Sequence, residues 1–212
     1  MPQRPLARAV LIFCIGLLVL LIGIAGYLYA TGALDGDQNV SGMAKPDIGG
    51  PFELVDQTGE TRRAEDFRGR YMLVYFGYTY CPDICPTSLL EMTRALDLLE
   101  AQAPEKEAKV TPVFVTVDPE RDTVEALADY AGHFHENLVA LTGSDEEVAR
   151  AAKAYRVYYS KAEVEGDDDD AYLMDHSSFI YLMGPDGEYV THYSHMAGAE
   201  EMAADMAKRV EG

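Results

Sequence analysis

The longest unbroken apolar stretch of the chain lies near its start. From Val10 to Tyr29 no charged residue occurs, and Leu, Ile, Val, Gly and Ala dominate. A helix of that length, at ~1.5 Å rise per residue, spans roughly 30 Å, the thickness of a bilayer core. Tyr27 and Tyr29 sit at its far end, where interfacial aromatics are found. Arg4 and Arg8 precede the run, and Asp35 and Asp37 follow it. The positive-inside rule then puts the amino terminus in the cytoplasm and the remainder outside. Secretory signals have a shorter apolar core of ~7–15 residues. Thr31 and Ala33 offer only a weak cleavage site. The pattern therefore predicts a cytoplasmic tail at 1–9 and an uncleaved transmembrane anchor at 10–30.

Residues 31–46 are rich in Gly, Asp, Asn and Ser, without periodicity, and read as a flexible linker. The domain then occupies 47–212. Phe52–Val55, before the turn residues Asp56–Gly59, predicts a strand. YMLVYFGY at 71–78 is almost wholly apolar and aromatic, as in a strand covered on both faces of a parallel sheet. VTPVFVTV at 110–117 is a second such run. Ser88–Ala103 sets Leu89, Met92, Leu96 and Leu99 at helical spacing, and Pro104 ends it. Helices follow at Thr123–Phe134, Asp145–Tyr155 and Ala199–Val210, with Ser144 and Glu147 placed for a capping box. Val139–Leu141 and Ser178–Met183 read as strands, and Pro185-Asp186-Gly187 turns the latter into Glu188–Tyr193. The order predicts an α/β domain with helices on both faces of a mainly parallel sheet, and one antiparallel hairpin.

Composition narrows the function. The chain has 212 residues, of which 48% are hydrophobic and 25% charged, so it is not a disordered chain. A net charge of −19 argues against nucleic-acid binding, which needs a basic face. The acidic residues are spread over ordinary helix faces, such as Glu91, Asp97, Glu100 and Glu105, and do not form a docking patch. Three cysteines exclude a disulfide-dense scaffold and allow one intramolecular pair. Cys14 falls within the apolar run and reads as an apolar filler, which leaves Cys81 and Cys85.

Those two sit in YCPDICP, between the end of the 71–78 strand and the start of the next helix. In open α/β sheets, sites form at the carboxyl ends of strands. Pro86 suits the first helical position, and the helix dipole there favours thiolate at Cys85. A spacing of four residues lets both sulfurs face one side. The pair can close a disulfide or clamp a soft ion such as Cu(I) or Zn(II). Structural zinc wants four ligands, and no second cysteine pair exists. One histidine would complete a three-ligand site that suits copper better. His176, in Asp175-His176-Ser177 just before the SFIYLM strand, reaches the cysteine loop if that strand neighbours the first. Taken alone, the cysteines are also consistent with a plain disulfide and His176 with an ordinary loop histidine. His133, His135, His192 and His195 read as solvated surface, Met202 and Met206 as helix core, and Asp167–Asp170 as a solvated loop and not a calcium site.

Three stretches together, VYFGYTYCPDICP (74–86), VDPERDT (117–123) and DHSSFIYLMGPDGEYV (175–190), resemble the Sco/SenC family of membrane-anchored copper proteins. Together with the anchor, the resemblance covers nearly the whole chain. It implies a thioredoxin-like fold with an inserted β-hairpin behind one transmembrane helix. It also implies copper, as Cu(I) and Cu(II), held by Cys81, Cys85 and His176. The implied role is delivery of copper to the dinuclear copper A centre of cytochrome c oxidase subunit II, or reduction of that centre's cysteines. The implied partners are subunit II, other copper chaperones and a thiol reductant. The implied location is the inner membrane, single-pass, with the domain on the periplasmic side. Asp118 and Arg121 have no metal role derivable from sequence; they shape the loop or face a partner.

A thiol–disulfide oxidoreductase is the rival class, with Cys81 attacking and Cys85 resolving. CxxxC in place of CxxC, and the lack of a Trp before Cys81, depart from the thioredoxin pattern. A peroxiredoxin-like reading meets Tyr78 where a Thr is wanted.

Overall fold

The computed structural model describes Phe13, residues 15–24, Tyr27, residues 46–163 and residues 172–211. The expected anchor is described only at Phe13, 15–24 and Tyr27, all helical. Among the described residues no helix is long and apolar enough to cross a membrane. Cys14, the linker at 31–45 and Asp167–Asp170 lie outside the described residues. By contacts the chain divides into Met1–Ala44 and Lys45–Gly212. The second unit carries the sheets and every helix of the domain.

Its strands are β1 (Glu53–Asp56), β2 (Thr61–Arg63), β3 (Tyr71–Gly77), β4 (Val110–Thr116), β5 (Val139–Thr142), β6 (Tyr159–Glu163), β7 (Tyr172–His176), β8 (Phe179–Met183) and β9 (Tyr189–Ser194). Its helices are α1 (Ile84–Gln102), α2 (Pro104–Glu107), α3 (Val124–Ala131), α4 (Asp145–Ala154) and α5 (Ala199–Arg209). Seven strands form one sheet in the order β2-β1-β5-β4-β3-β8-β9, and β6 and β7 form a separate two-stranded sheet.

Only β3, β4 and β5 run parallel; β1 joins β5, and β8 joins β3, antiparallel. The expectation of a mainly parallel sheet is thus corrected. The connection between neighbouring strands decides direction: β3, β4 and β5 are joined through helices, whereas β8 arrives from the β6–β7 hairpin and enters in reverse. Every residue of β3 and of β4 is buried, as their unbroken apolar runs require. Phe76 meets Tyr155, at the end of α4, on one face of β3; Tyr75 and Gly77 meet α1 on the other. Met202 and Met206 are fully buried in the core. The capping box of α4 is present, with Glu147 N–H donating to Ser144 Oγ and Ser144 N–H to Glu147.

Two further differences bear on the site. Helix α1 begins at Ile84, four residues before the start at Ser88 that the hydrophobic periodicity predicts, so Cys85 lies inside the helix and Pro86 at its third position. The β6–β7 pair appears where the sequence pattern marked no strand, and His176 ends a strand instead of sitting in a loop.

Candidate metal centre

The chain leaves β3 at Gly77 and turns before α1. The turn is held by a carboxylate from the neighbouring strand's loop. Asp122, fully buried, accepts from the Thr79 amide at 3.0 Å, the Thr79 hydroxyl at 2.6 Å and the Thr116 hydroxyl at 2.6 Å. Burial raises its carboxyl above the ordinary value, against the pull of these donors. Asp122 therefore ties the ends of β3 and β4 together and fixes the residues leading into Cys81. The sequence singled out Asp118 and Arg121 in this block and missed Asp122. The signal was its position just after the parallel neighbour of the cysteine-bearing strand.

Cys81 is partly buried, Cys85 fully buried, and both are free thiols. The Cys85 amide donates to the Cys81 sulfur at 3.3 Å. The hydrogen bond with the Cys85 side chain is the main cause that lowers the Cys81 thiol, and contacts with His176 and the loop amides lower it further against its burial. The bond with Cys81 is also the main cause that raises Cys85, and burial adds to it. This corrects the sequence expectation that the helix start favours thiolate at Cys85. Being inside the helix, Cys85 turns its amide away from its own sulfur and toward Cys81, which collects the benefit of the helix terminus.

The antiparallel pairing of Tyr75 with Ile180 sets the start of β8 beside the end of β3, and His176 lies just before it. Its Nε2 is 3.4 Å from Cys85 Sγ. Its Nδ1 donates to the Ser177 carbonyl at 3.2 Å, which leaves the lone pair on Nε2, facing the sulfur. A backbone carbonyl thus orients the ring; Asp175 is exposed. The edges of Tyr75 and Tyr78 flank the imidazole at ring-centroid distances of 6.1 and 5.9 Å.

The hairpin that carries His176 is latched at its other end. Asp118, 1% exposed, accepts from Arg121 Nε and, at 2.8 Å, from the Tyr172 hydroxyl. The Arg121 guanidinium lies 3.6 Å from the Tyr172 ring centroid and 4.7 Å from that of Tyr80, and donates to the Tyr172 carbonyl at 3.1 Å. Arg121 thus joins the loop before Cys81 to the strand that ends at His176. The VDPERDT block shapes the site from beneath.

Cys81, Pro82, Ile84, Leu173, Asp175 and His176 line an open cleft of about 260 Å³. Among the described residues no group of three or more His, Cys, Asp or Glu side chains stands ready to hold a metal ion. Two sulfurs and one imidazole nitrogen are nevertheless brought together, the donor set that suits copper. The remaining histidines stay apart from this cleft. His192 packs on Phe179 with ring centroids 5.1 Å apart, His133 and His195 are exposed, and His135 is half-buried beside Glu107 at 3.8 Å, which corrects its reading as solvated.

A sheet with a cysteine pair between strand end and helix start, and a histidine returned to it by an inserted hairpin, defines a thioredoxin-like α/β domain. The chain belongs to the SCO1/SenC family, whose model matches residues 40–211. It is 43% identical over 165 residues to the mitochondrial SCO1 homolog of Homo sapiens; the match covers 78% of this chain and 54% of that protein, about half its length. The copper-bound structure of ScoI from Bradyrhizobium japonicum superposes with a TM-score of 0.68 at 40% identity, covering 77% of this chain and 99% of that one. BsSco, described as having a disulfide switch and as a member of the Sco family of cytochrome c oxidase assembly proteins, superposes with a TM-score of 0.59 at 26% identity, covering 77% and 94%.

Proposed function

We propose that this chain binds copper through Cys81, Cys85 and His176, and passes it to the copper A site of cytochrome c oxidase subunit II during assembly. The observation that carries the reading is the 3.4 Å approach of His176 Nε2 to Cys85 Sγ beside the sulfur of Cys81. Copper-bound relatives and a relative in oxidase assembly support it. In this reading 10–30 anchors the chain in the inner membrane, 31–46 tethers it, and the domain works on the periplasmic side.

The residues act in order. Cys81, already biased to thiolate, meets incoming Cu(I) first at the open cleft. Cys85 then releases its proton to solvent and His176 offers Nε2. Two thiolates satisfy Cu(I), and imidazole gains weight in Cu(II). Three ligands in an open cleft let an incoming cysteine or histidine bind before one leaves. Because the pair lies outside the cytoplasm, where disulfides form, an external thiol reductant keeps it loadable, and another copper chaperone supplies the ion. The test is a copper titration of the reduced protein with parallel thiol counting. One copper per chain with loss of both free thiols supports the reading, and uptake unaffected by Cys81→Ser with Cys85→Ser overturns it.

A second reading is supported by the split between an accessible, thiolate-prone Cys81 and a buried, protonated Cys85. That is the arrangement of an attacking and a resolving thiol. In it the protein reduces the disulfide of the copper A cysteines, Cys81 forming the mixed disulfide and Cys85 releasing it. Metal-free turnover of a subunit II peptide disulfide by the reduced protein separates this from copper delivery.

A further inference from the structure

Three hydroxyls lie buried with no hydrogen-bond partner among the described residues: those of Tyr75, Ser88 and Tyr130. Two of them belong to the wall behind Cys85. Ser88 follows Cys85 by three positions on α1, on the same buried face, and is 1% exposed. Tyr75 is fully buried and shares a face of β3 with Gly77. A Cβ on Gly77 would stand 3.0 Å from both Cys85 Sγ and Tyr75 Cε1, so sulfur and phenol ring both border the space over that glycine. Burial and the cysteine sulfurs raise the Tyr75 phenol, and the Ser88 hydroxyl draws it down. The two hydroxyls and the sulfur are near neighbours that make no bond of ordinary geometry.

An unpaired buried hydroxyl is destabilising, and two in the wall behind one sulfur call for a reason. The Cys85 sulfur lies 3.4 Å from His176 Nε2, and a thiol sulfur is a weak acceptor. As a metal-bound thiolate the same atom becomes a strong one, still walled from water.

We propose that the Tyr75 and Ser88 hydroxyls are donors held for the metal-bound sulfur of Cys85, set to stabilise the electron-rich thiolate of the Cu(I) state. The inference rests on the ligand role proposed for Cys85. Hydrogen bonds to a coordinating sulfur withdraw electron density and so tune a metal's potential. Cu(I) leaves more negative charge on sulfur than Cu(II), so the donors favour Cu(I), the form handed on by ligand exchange.

The test uses Tyr75→Phe and Ser88→Ala in the whole protein, with circular dichroism confirming the fold. In the copper-free state Tyr75→Phe should unfold at the same or a higher urea concentration than the parent, since it removes an unpaired group. Loaded with one Cu(II), both variants should show the sulfur-to-copper charge-transfer band at longer wavelength. Their preference for Cu(II) over Cu(I) should rise roughly tenfold, the effect of about one charge-assisted hydrogen bond. One bound copper with band and preference unchanged overturns the inference while leaving the ligand reading intact. So does copper-free destabilisation by Tyr75→Phe, which would mark the hydroxyl as an ordinary structural donor. A parent that binds no copper overturns both.

Discussion

His176 Nε2 and Cys85 Sγ face each other at 3.4 Å across 91 positions of sequence, each presenting the atom a soft metal would take. The contact depends on β8 entering the sheet antiparallel beside β3, and on Ser177 holding Nδ1 by its carbonyl. His176→Ala is expected to keep the fold and a two-thiolate Cu(I) site while weakening Cu(II) at least roughly 100-fold, the upper range for a disturbed metal site. Competition titrations against a chelator, run separately for each oxidation state, check this. Equal loss in both states would mean that the imidazole is not a selective third ligand.

The two thiols should differ sharply in reactivity. With Cys81 lowered by its bond with Cys85, its alkylation rate should show no inflection near the ordinary thiol value of ~8.5. Peptide mapping should find Cys81 labelled first and Cys85 protected until unfolding. Stability should carry the same titration. The thiolate's contribution is complete above the unfolded value of ~8.5, declines as pH falls, and is gone below the folded value. Urea midpoints of the reduced protein, compared with Cys81→Ser over that window, should converge toward acid pH.

Asp122→Ala removes three hydrogen bonds and leaves the hydroxyls of Thr79 and Thr116 without their acceptor. A loss of about 2–3 kcal/mol in chemical denaturation is expected. Cys81 should also lose its selective labelling, because the turn before it is released. A variant that loses stability but retains the reactivity difference would confine Asp122 to a structural part.

Gly77→Ala would bring a methyl within 3.0 Å of Cys85 Sγ, Phe114 Cε2 and Tyr75 Cε1 at once. All three are buried and none is the free end of a flexible chain. Overpacking of this kind costs about 1–3 kcal/mol. Because the Cys85 sulfur is one of the three crowded atoms, copper uptake should fall along with thermal stability.

Arg121→Ala should act on the hairpin and spare the core. The guanidinium stacks on Tyr172, and such contacts contribute about 0.5–2 kcal/mol. Faster amide exchange across β6 and β7, with β3 and β4 unchanged, is the expected signature. Uniform acceleration would show that Arg121 stabilises the whole domain.

Much of this was legible in the sequence because it rests on local rules. The buried strands β3 and β4 were visible as unbroken apolar runs, α4 as a capping box, and the cysteine pair as a loop between strand and helix. What was not legible depends on pairing at a distance. The direction of β8 is set by the hairpin before it, and that hairpin, Tyr-Ser-Lys-Ala-Glu against Tyr-Leu-Met-Asp-His, is short and of mixed polarity, with no period to betray it. The early start of α1 escaped because Ile84 to Thr87 is helical by its place under Cys81 and not by hydrophobic spacing. That shift moved the expected thiolate from Cys85 to Cys81. Asp122 was hidden for the same reason: a buried carboxylate is recognised by its partners, and these come from two other segments.

The β6–β7 ribbon is a sheet of its own. Two-stranded ribbons are only marginally stable by themselves, and local units of a protein open with free energies well below that of global unfolding. The histidine therefore has its own opening equilibrium, while both sulfurs stay fixed to the rigid body of the domain. In the copper-delivery reading, a metal held across such a boundary has a residence time governed by the breathing of one ribbon, and its release leaves the rest of the domain intact.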